Sequence, residues 1–555
     1  MKYGLRIRLV LIGSLIVWLL PAALGAVSLA ELIEADIDAG LISKEEGIIY
    51  QALAATNPGY LPEHYQLITG APDKSATILV RDAWVVLAEN LDLAAKYRGV
   101  LGTRPLMQTQ YQSPAGQFWL HYDTSGTHAV PAADTNVNQV PDYIERAAQL
   151  ADSVYNYQVN VLGYLPPPSD GTLGGGQDQY DIYFQLMPYY GYTSPELAGP
   201  APWDDYSSHI VVSCNFEGFP PNDDPEGQQI GALKVAIAHE FFHAVQFAYN
   251  VHADSYFMEM SSVWMEEMAF PEVNDNYQYL HHFFDDPQEG LQHDGQHRYA
   301  SFIWPKYLEE NFGIDIMRAM WCECRYEIAF SSMAYVLDSI GTAFPVEYLR
   351  FLDWNYFTGS RGHLGYYQDA VDYPDVSIMR THTIVPDFNY YSMQPPEPLG
   401  SNYIVVENLG GLKGIFTFEL DGNPSASWGV AYIVDYGADN YFDTISTAFS
   451  NGEGKAYVPY FEDTQRIILI PGVTCNYGQV YNFYYDIYIR PPGDADGNHL
   501  INIADITYII GFVFGGGPAS HPFAAMDANC DHMVNISDVV VLIQYIFGGG
   551  PFPCQ

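Results

Sequence analysis

The rhythm of apolar and polar positions changes several times along the chain. A basic start (Lys2, Arg6, Arg8) leads into an apolar run from Leu9 to Leu20, short for a membrane span. Residues 28 to about 56 then carry helical periodicity through Leu29, Leu32, Ile33, Ile37, Ile48 and Leu53. Phe118 to Tyr122 alternates like a strand, a helix is expected from Pro141 to about Leu162, and Tyr180–Phe184 and Ser208–Ser213 read as further strands. Gly171 to Gly176 precedes a strand, which is the wrong order for a phosphate loop, so it reads as a flexible connector. An almost wholly apolar stretch from near Leu233 to near Tyr249 predicts a buried helix, and helical patterns continue over Tyr299–Phe312 and Glu327–Ser339. From about Pro395 the period falls to two. Tyr403–Val406, Ile415–Phe418, Ala431–Val434, Arg466–Leu469 and Tyr484–Tyr488, parted by turn residues, predict a β-sandwich of about ninety residues. Past Pro491-Pro492-Gly493 an apolar helix pattern appears twice, 33 residues apart.

Composition narrows the setting. At 555 residues the chain should divide into three or four domains, and 48% hydrophobic residues suffice for packed cores. A formal net charge of −44 excludes a general affinity for nucleic acid or anionic membrane, and suits a medium that supplies calcium. The basic start, the short apolar run and the small residues from Ala22 to Ala26 predict a signal peptide over 1–25, hence secretion, with no membrane span in the mature protein. Export permits disulfides. Cys530 and Cys554 flank one small unit and are the expected pair, while Cys214, Cys322, Cys324 and Cys475 have no readable connectivity.

The buried helix carries the chemistry. His239-Glu240-Phe241-Phe242-His243 places two imidazoles at i and i+4 on one face, as a tetrahedral zinc ion requires of two ligands, with the Glu240 carboxylate beside them as proton acceptor. The third ligand is open. Gln246 and Tyr249 stand where an extended pattern would need Gly and His, and His252 reads as a surface residue. Glu259 and Glu266 lie 16 and 23 residues past His243 and share a helical face, so one can ligate while the other orients a histidine. Tyr299, His293 and His297 are weaker candidates for polarising a carbonyl.

Two further patterns suggest calcium. Asp494, Asp496, Asn498, Asn502 and Asp505 occupy positions 1, 3, 5, 9 and 12 of a loop, and Asp527, Asn529, Asp531, Asn535 and Asp538 repeat that spacing. Asp134, Asn136, Asn138, Asp142 and Glu145 form a third candidate with the same spacing, although Gln139 stands where the pattern has Gly; an Asx-rich turn capping the next helix is the alternative.

His239 to Phe247, Phe257-Met258-Glu259 and Trp264-Met265-Glu266 resemble a family of secreted bacterial metalloproteases of gluzincin type, whose activity is itself inferred largely from the motif. The likeness extends from Leu120-His121-Tyr122 and Pro141-Asp142-Tyr143 to Tyr299–Ile303. It implies Glu259 as third zinc ligand, with Met260 departing from the usual Gly, and a strand near Val211 beside the substrate. The duplicated loop-helix unit resembles a dockerin, which implies a cohesin partner and two Ca²⁺, although Ile503-Ala504 and Ile536-Ser537 depart from the best-known pair. The expectation is therefore a multidomain α+β protein. It comprises a helical, propeptide-like region over 26–105, a zincin-like (thermolysin-like) catalytic domain over 106–385, the β-sandwich over 395–490 and the dockerin-like helical repeat over 493–555. Function is expected to be that of a zinc endopeptidase acting on protein or peptide and held at a surface or scaffold; the alternative is a non-catalytic secreted adhesion or surface-binding protein.

Overall fold

The computed structural model describes residues 29–66, 73–101, 103–176, 178–383, 389–408, 412–437, 442–449 and 451–554, so the expected signal peptide lies outside the described residues. Its helices and sheets form a multidomain α+β architecture in two compact units. One comprises Met1–Gln149, Ser169–Leu197 and Ser207–Phe219; the other comprises Leu150–Pro168, Ala198–Tyr206 and Pro220–Gln555.

The first unit is organised on a six-stranded sheet in the order Asp73–Ser75, Tyr189–Ala198, Tyr206–Ser213, Tyr180–Gln185, Phe118–Tyr122, Thr109–Gln112. The first of these strands comes from the propeptide-like region and pairs in parallel with Tyr189–Ala198. Ala76 and Val80, at the start of the helix Thr77–Glu89, pack with Tyr183, Tyr192 and Val211. The helix expected after Pro141 runs over Asp142–Tyr155 and continues as a π-helical turn over Asn156–Val161. The glycine connector carries a short helix, Leu173–Gly176, instead of being wholly irregular.

A buried charge network ties this sheet to its loops. The Arg104 guanidinium donates to Asp170, Asp181 and Glu196, the last through Nε at 2.7 Å. His121 Nε2 lies 2.7 Å from Asp181 Oδ1, and His209 Nδ1 lies 3.0 Å from Glu196 Oε1. Burial works against ionisation of Glu196, but Arg104 and His209 hold its carboxyl down to about 2. Arg104 is thus shared by three carboxylates whose side chains have little exposure.

The second unit is centred on the helix Gln228–Phe247, in which every residue from Gly231 onward is buried. Leu233, Ile237, Phe241, Phe242 and Val245 are fully covered, each worth roughly 1.5–3 kcal/mol over exposure. The helix Ser255–Ala269 packs along it, buried from Tyr256 to Glu267. Helices follow to Phe344–Tyr356, which lies against the sandwich. Gly429 and Gly472 allow that approach, since a Cβ at either would stand 2.6 or 2.7 Å from Leu349 or Leu352.

The sandwich pairs a four-stranded sheet (Glu453–Val458, Ile415–Gly422, Phe483–Arg490, Asn389–Tyr391) with a five-stranded one (Phe442–Phe449, Trp428–Asp435, Arg466–Val473, Ile404–Glu407, Arg380–His382). Trp428, Phe418, Phe483 and Leu469 fill the space between. Two short strands therefore precede residue 395, and Phe442–Phe449 and Glu453–Val458 add two that the sequence pattern had not marked. At the C-terminus the helices Ile503–Gly515 and Ile536–Gly548 each begin in a capping box, Asn502 with Asp505 and Asn535 with Asp538. They share a core of Ile506, Ile509, Val539 and Leu542, and Cys530 and Cys554 are disulfide-bonded.

The Arg104 network yields a stability prediction. Arg104→Met leaves three largely covered carboxylates without the guanidinium they share and should destabilise the chain by about 3 kcal/mol or more, with Arg104→Lys recovering part of the loss. The urea-unfolding midpoint of the sheet-bearing unit measures it; an unchanged midpoint contradicts this account of the network.

Candidate metal centre

Helix geometry brings three donors to one point. His239 Nε2 and His243 Nε2 lie 3.0 Å apart, and Glu259 Oε2 lies 3.1 Å from the first and 3.6 Å from the second. Ligands about 2.05 Å from a tetrahedral ion stand about 3.3 Å from one another, so this triangle has the size of a metal's coordination face. All three residues are buried, and together they form a cluster able to hold a metal ion.

The outer hydrogen bonds fix which nitrogens carry lone pairs. Glu266 Oε1 lies 2.7 Å from His239 Nδ1, so that nitrogen is the donor and Nε2 is left with its lone pair. Gln246 does the same for His243. Its Nε2 donates to the Met258 carbonyl at 2.9 Å, which turns Oε1 to accept from His243 Nδ1 at 2.8 Å. Ser262 Oγ lies 3.3 Å from the same Nδ1. With both rings neutral, their Nε2 lone pairs would face each other at 3.0 Å in a dry interior, a repulsion that a proton or a metal ion between them relieves. Glu259 Oε1 is buried without a hydrogen-bond partner, an acceptor that a metal ion at this point could satisfy. Burial disfavours charge on His239, yet Glu259 and Glu266 carry its imidazole up to about 10. Burial likewise raises Glu259, but the two histidines hold it well below the usual carboxylate range. A metal ion would take the place of the proton this array attracts.

Both glutamates left open by the sequence thus have work at the same histidine, Glu259 toward Nε2 and Glu266 toward Nδ1. Gln246 and Ser262 were not singled out beforehand. Their signal was spacing, since Gln246 follows His243 by three residues and Ser262 follows Glu259 by three. Glu240 sits on the same helix, fully buried. The weaker candidates have other engagements: His293 Nδ1 meets Glu397 at 3.0 Å, His297 Nδ1 meets the His282 carbonyl at 2.9 Å, and Tyr299 packs on Tyr279.

The three oxygen-rich loops share one backbone form. In each, the residues at positions 4 and 6 are left-handed: Gly497 and His499, Cys530 and His532, Val137 and Gln139. In each, the position 6 N–H donates to Oδ2 of the first aspartate, from His499 to Asp494, His532 to Asp527 and Gln139 to Asp134. In each, the position 5 N–H donates to the side-chain oxygen at position 3, on Asp496, Asn529 and Asn136. Gln139 in place of Gly therefore does not set the third loop apart, because both C-terminal loops have histidine there. Asn502 and Asn535, at position 9, cap their helices through Ala504 and Ser537. In the Asp134 loop Glu145 accepts from Asn136 and Asn138 at 2.7 and 2.8 Å, while Asp142 accepts from Thr135 N–H. Asp494, Asp496 and Asp505 form a second cluster able to hold a cation, and Asp494 Oδ1 is buried without a hydrogen-bond partner. Burial, with Asp527 nearby, pushes Asp538 up to about 6, a shift that a cation would reverse.

Comparison with known proteins leaves the function open. Residues 226–328 match a family described as a family of unknown function (DUF6055), and this stretch contains the donor triangle. No curated protein matches the chain. Among solved structures, a Yersinia pseudotuberculosis-derived mitogen aligns at 17% identity, over 19% of this chain and 87% of that one, with a TM-score of 0.15. The carbohydrate-binding module TmCBM61, in complex with β-1,4-galactotriose, aligns at 13% identity over 19% and 66%, with a TM-score of 0.13. The 4-O-methyl-α-glucuronidase BtGH115A aligns at 8% identity over 47% and 38%, also at 0.13. Scores of this size assign neither fold nor function.

Two outcomes follow from this geometry. Glu259→Ala should abolish metal retention through dialysis, while Glu266→Ala, which frees only an outer nitrogen, should weaken it roughly ten- to hundred-fold; metal content per chain decides, and the reverse ranking would make Glu266 the ligand. Crystals soaked in calcium should show an ion within about 2.6 Å of Asp134 and Glu145 oxygens; no such density would leave that loop an Asx turn.

Proposed function

We propose that the chain is an exported zinc-dependent endopeptidase whose C-terminal module attaches it to a partner protein. The observation that carries this reading is the carboxylate of Glu240, adjacent to His239 on the helix that supplies both imidazoles of the triangle. His239, His243 and Glu259 would hold zinc through two nitrogens and one oxygen, the donor set of the gluzincins that the sequence resembles. Bound there, the ion would supply Lewis acidity and bring the pKa of a water toward about 7. Glu240 would accept the proton of the attacking water and deliver it to the departing amide nitrogen. Glu266 and Gln246 keep the outer nitrogens protonated, and so keep the Nε2 lone pairs directed inward.

The C-terminal module supports attachment. Its candidate calcium loops fit two Ca²⁺ by oxygen count and backbone form. Ile503, Ile510 and Phe514 are exposed along one helix, and their repeats Ile536, Ile543 and Phe547 are exposed along the other. Two matching apolar stripes suit a protein partner, which in the dockerin reading is a cohesin.

A second reading rests on burial. His239, Glu240, His243 and Glu259 are each at most 1% exposed, and closed metal sites are the structural kind. In that reading the chain is a non-catalytic surface-binding or adhesion protein, whose metal braces two helices while the sandwich and repeat modules do the binding.

Glu240→Gln separates the two. It should keep its zinc while cleavage of casein falls by roughly a hundred-fold or more. Turnover at the wild-type rate would remove Glu240 from the chemistry. A wild-type chain that retains zinc and cleaves nothing would establish the second reading.

A further inference from the structure

The two candidate calcium loops are not held by their own module alone. Asp494 and Asp527, the first residues of the loops, are both fully buried. In each, Oδ2 accepts the N–H of the position 6 histidine, at 3.2 Å from His499 and 2.8 Å from His532, and Asp527 Oδ1 also accepts from Asp531 N–H at 3.2 Å. On each of these Oδ2 atoms a second donor arrives from the sandwich. Arg490, the last residue of the strand Phe483–Arg490, donates Nε to Asp494 Oδ2 at 2.8 Å and a terminal nitrogen to the Asp494 carbonyl. Tyr460 donates its hydroxyl to Asp527 Oδ2 at 3.1 Å. The loops are repeats of one another, whereas the two donors are chemically unrelated and come from different parts of the sandwich. The two contacts nevertheless converge on the same atom of the same loop position.

Neither is an incidental surface pair. Arg490 is 5% exposed, so its ion pair lies outside the regime in which surface salt bridges contribute almost nothing. The ring of Tyr460 lies 3.9 Å from that of His532, and the backbone there adopts the left-handed form, φ 53°, unusual for tyrosine. Around these contacts Ile415, Tyr457 and Tyr460 of the sandwich close on Ala524 and Ala525 of the repeat module. Asp494 Oδ1 is left buried and without a hydrogen-bond partner, as an oxygen kept for a cation would be.

We propose that Arg490 and Tyr460 are positioning residues of the two calcium sites, one for each loop. The sandwich holds Oδ2 of each first aspartate and so leaves Oδ1 to face the ion. Calcium loading and the seating of the repeat module on the sandwich are then one coupled equilibrium. The module is accordingly no freely swinging tag: loaded with calcium, it is fixed to the sandwich by its loops while its apolar helix stripes remain exposed. This rests on the calcium reading of the loops given above.

The test uses the full chain, stripped of metal and titrated with calcium by calorimetry, with Asp505→Ala to silence the first loop or Asp538→Ala to silence the second. With only the second loop left, Tyr460→Phe should weaken calcium binding roughly ten- to hundred-fold and Arg490→Met should leave it unchanged. With only the first loop left, the effects should exchange, and Arg490→Lys should restore part of the affinity. Loss at both loops from either substitution would mean general damage to the sandwich and would overturn the assignment. Wild-type binding with unaltered variants would overturn it alone, leaving the calcium sites in place. A wild-type chain with no calcium bound at these loops would remove the calcium reading and this inference together.

Discussion

Two imidazole nitrogens 3.0 Å apart, with a carboxylate oxygen 3.1 Å from one of them, form a buried array that attracts a proton or a metal ion. In water the repulsion between neutral rings would be solvated away; between two helices buried on nearly every side it is not. The surroundings enforce the arrangement instead of relaxing it. Gln246 is locked by the Met258 carbonyl and two serine hydroxyls, and Glu266 holds the other ring from behind. Such fixed geometry suits a group that binds one ion in one way, whether the ion then serves catalysis or bracing.

The same physics recurs in the oxygen-rich loops, whose donors would suit a different cation. A chain of net charge −44 has few positive groups to spare, and its loops gather carboxylates with little local compensation. Hard oxygen donors at the spacing seen here favour Ca²⁺ over Zn²⁺, as nitrogen donors in the helix pair favour the reverse. Arg104 and Arg490 each place the guanidinium against carboxylates whose side chains have little exposure.

Much of this was legible beforehand because periodicity and spacing are local. The i, i+4 histidines, the repeated loops, the Cys530–Cys554 pair and the alternating strands all declare themselves within a few residues of sequence. What sequence left open depended on the direction of side chains. Glu259 and Glu266 share a helical face, and only the fold shows that one faces Nε2 and the other Nδ1 of the same ring. Arg104 lies in an irregular stretch with no periodic signal, and its three carboxylates lie 66 to 92 residues away. The early sandwich strands Arg380–His382 and Asn389–Tyr391 are three residues each, too short to show alternation.

X-ray absorption at the zinc edge of the purified full-length chain addresses the donor triangle directly. The account predicts bound zinc with two imidazole nitrogens at about 2.0–2.1 Å and a carboxylate oxygen in the first coordination sphere. Loss of one imidazole contribution in His243→Ala would tie the signal to this helix. A chain purified without zinc and unable to take it up, or a spectrum showing sulfur ligands or a single imidazole, would contradict it.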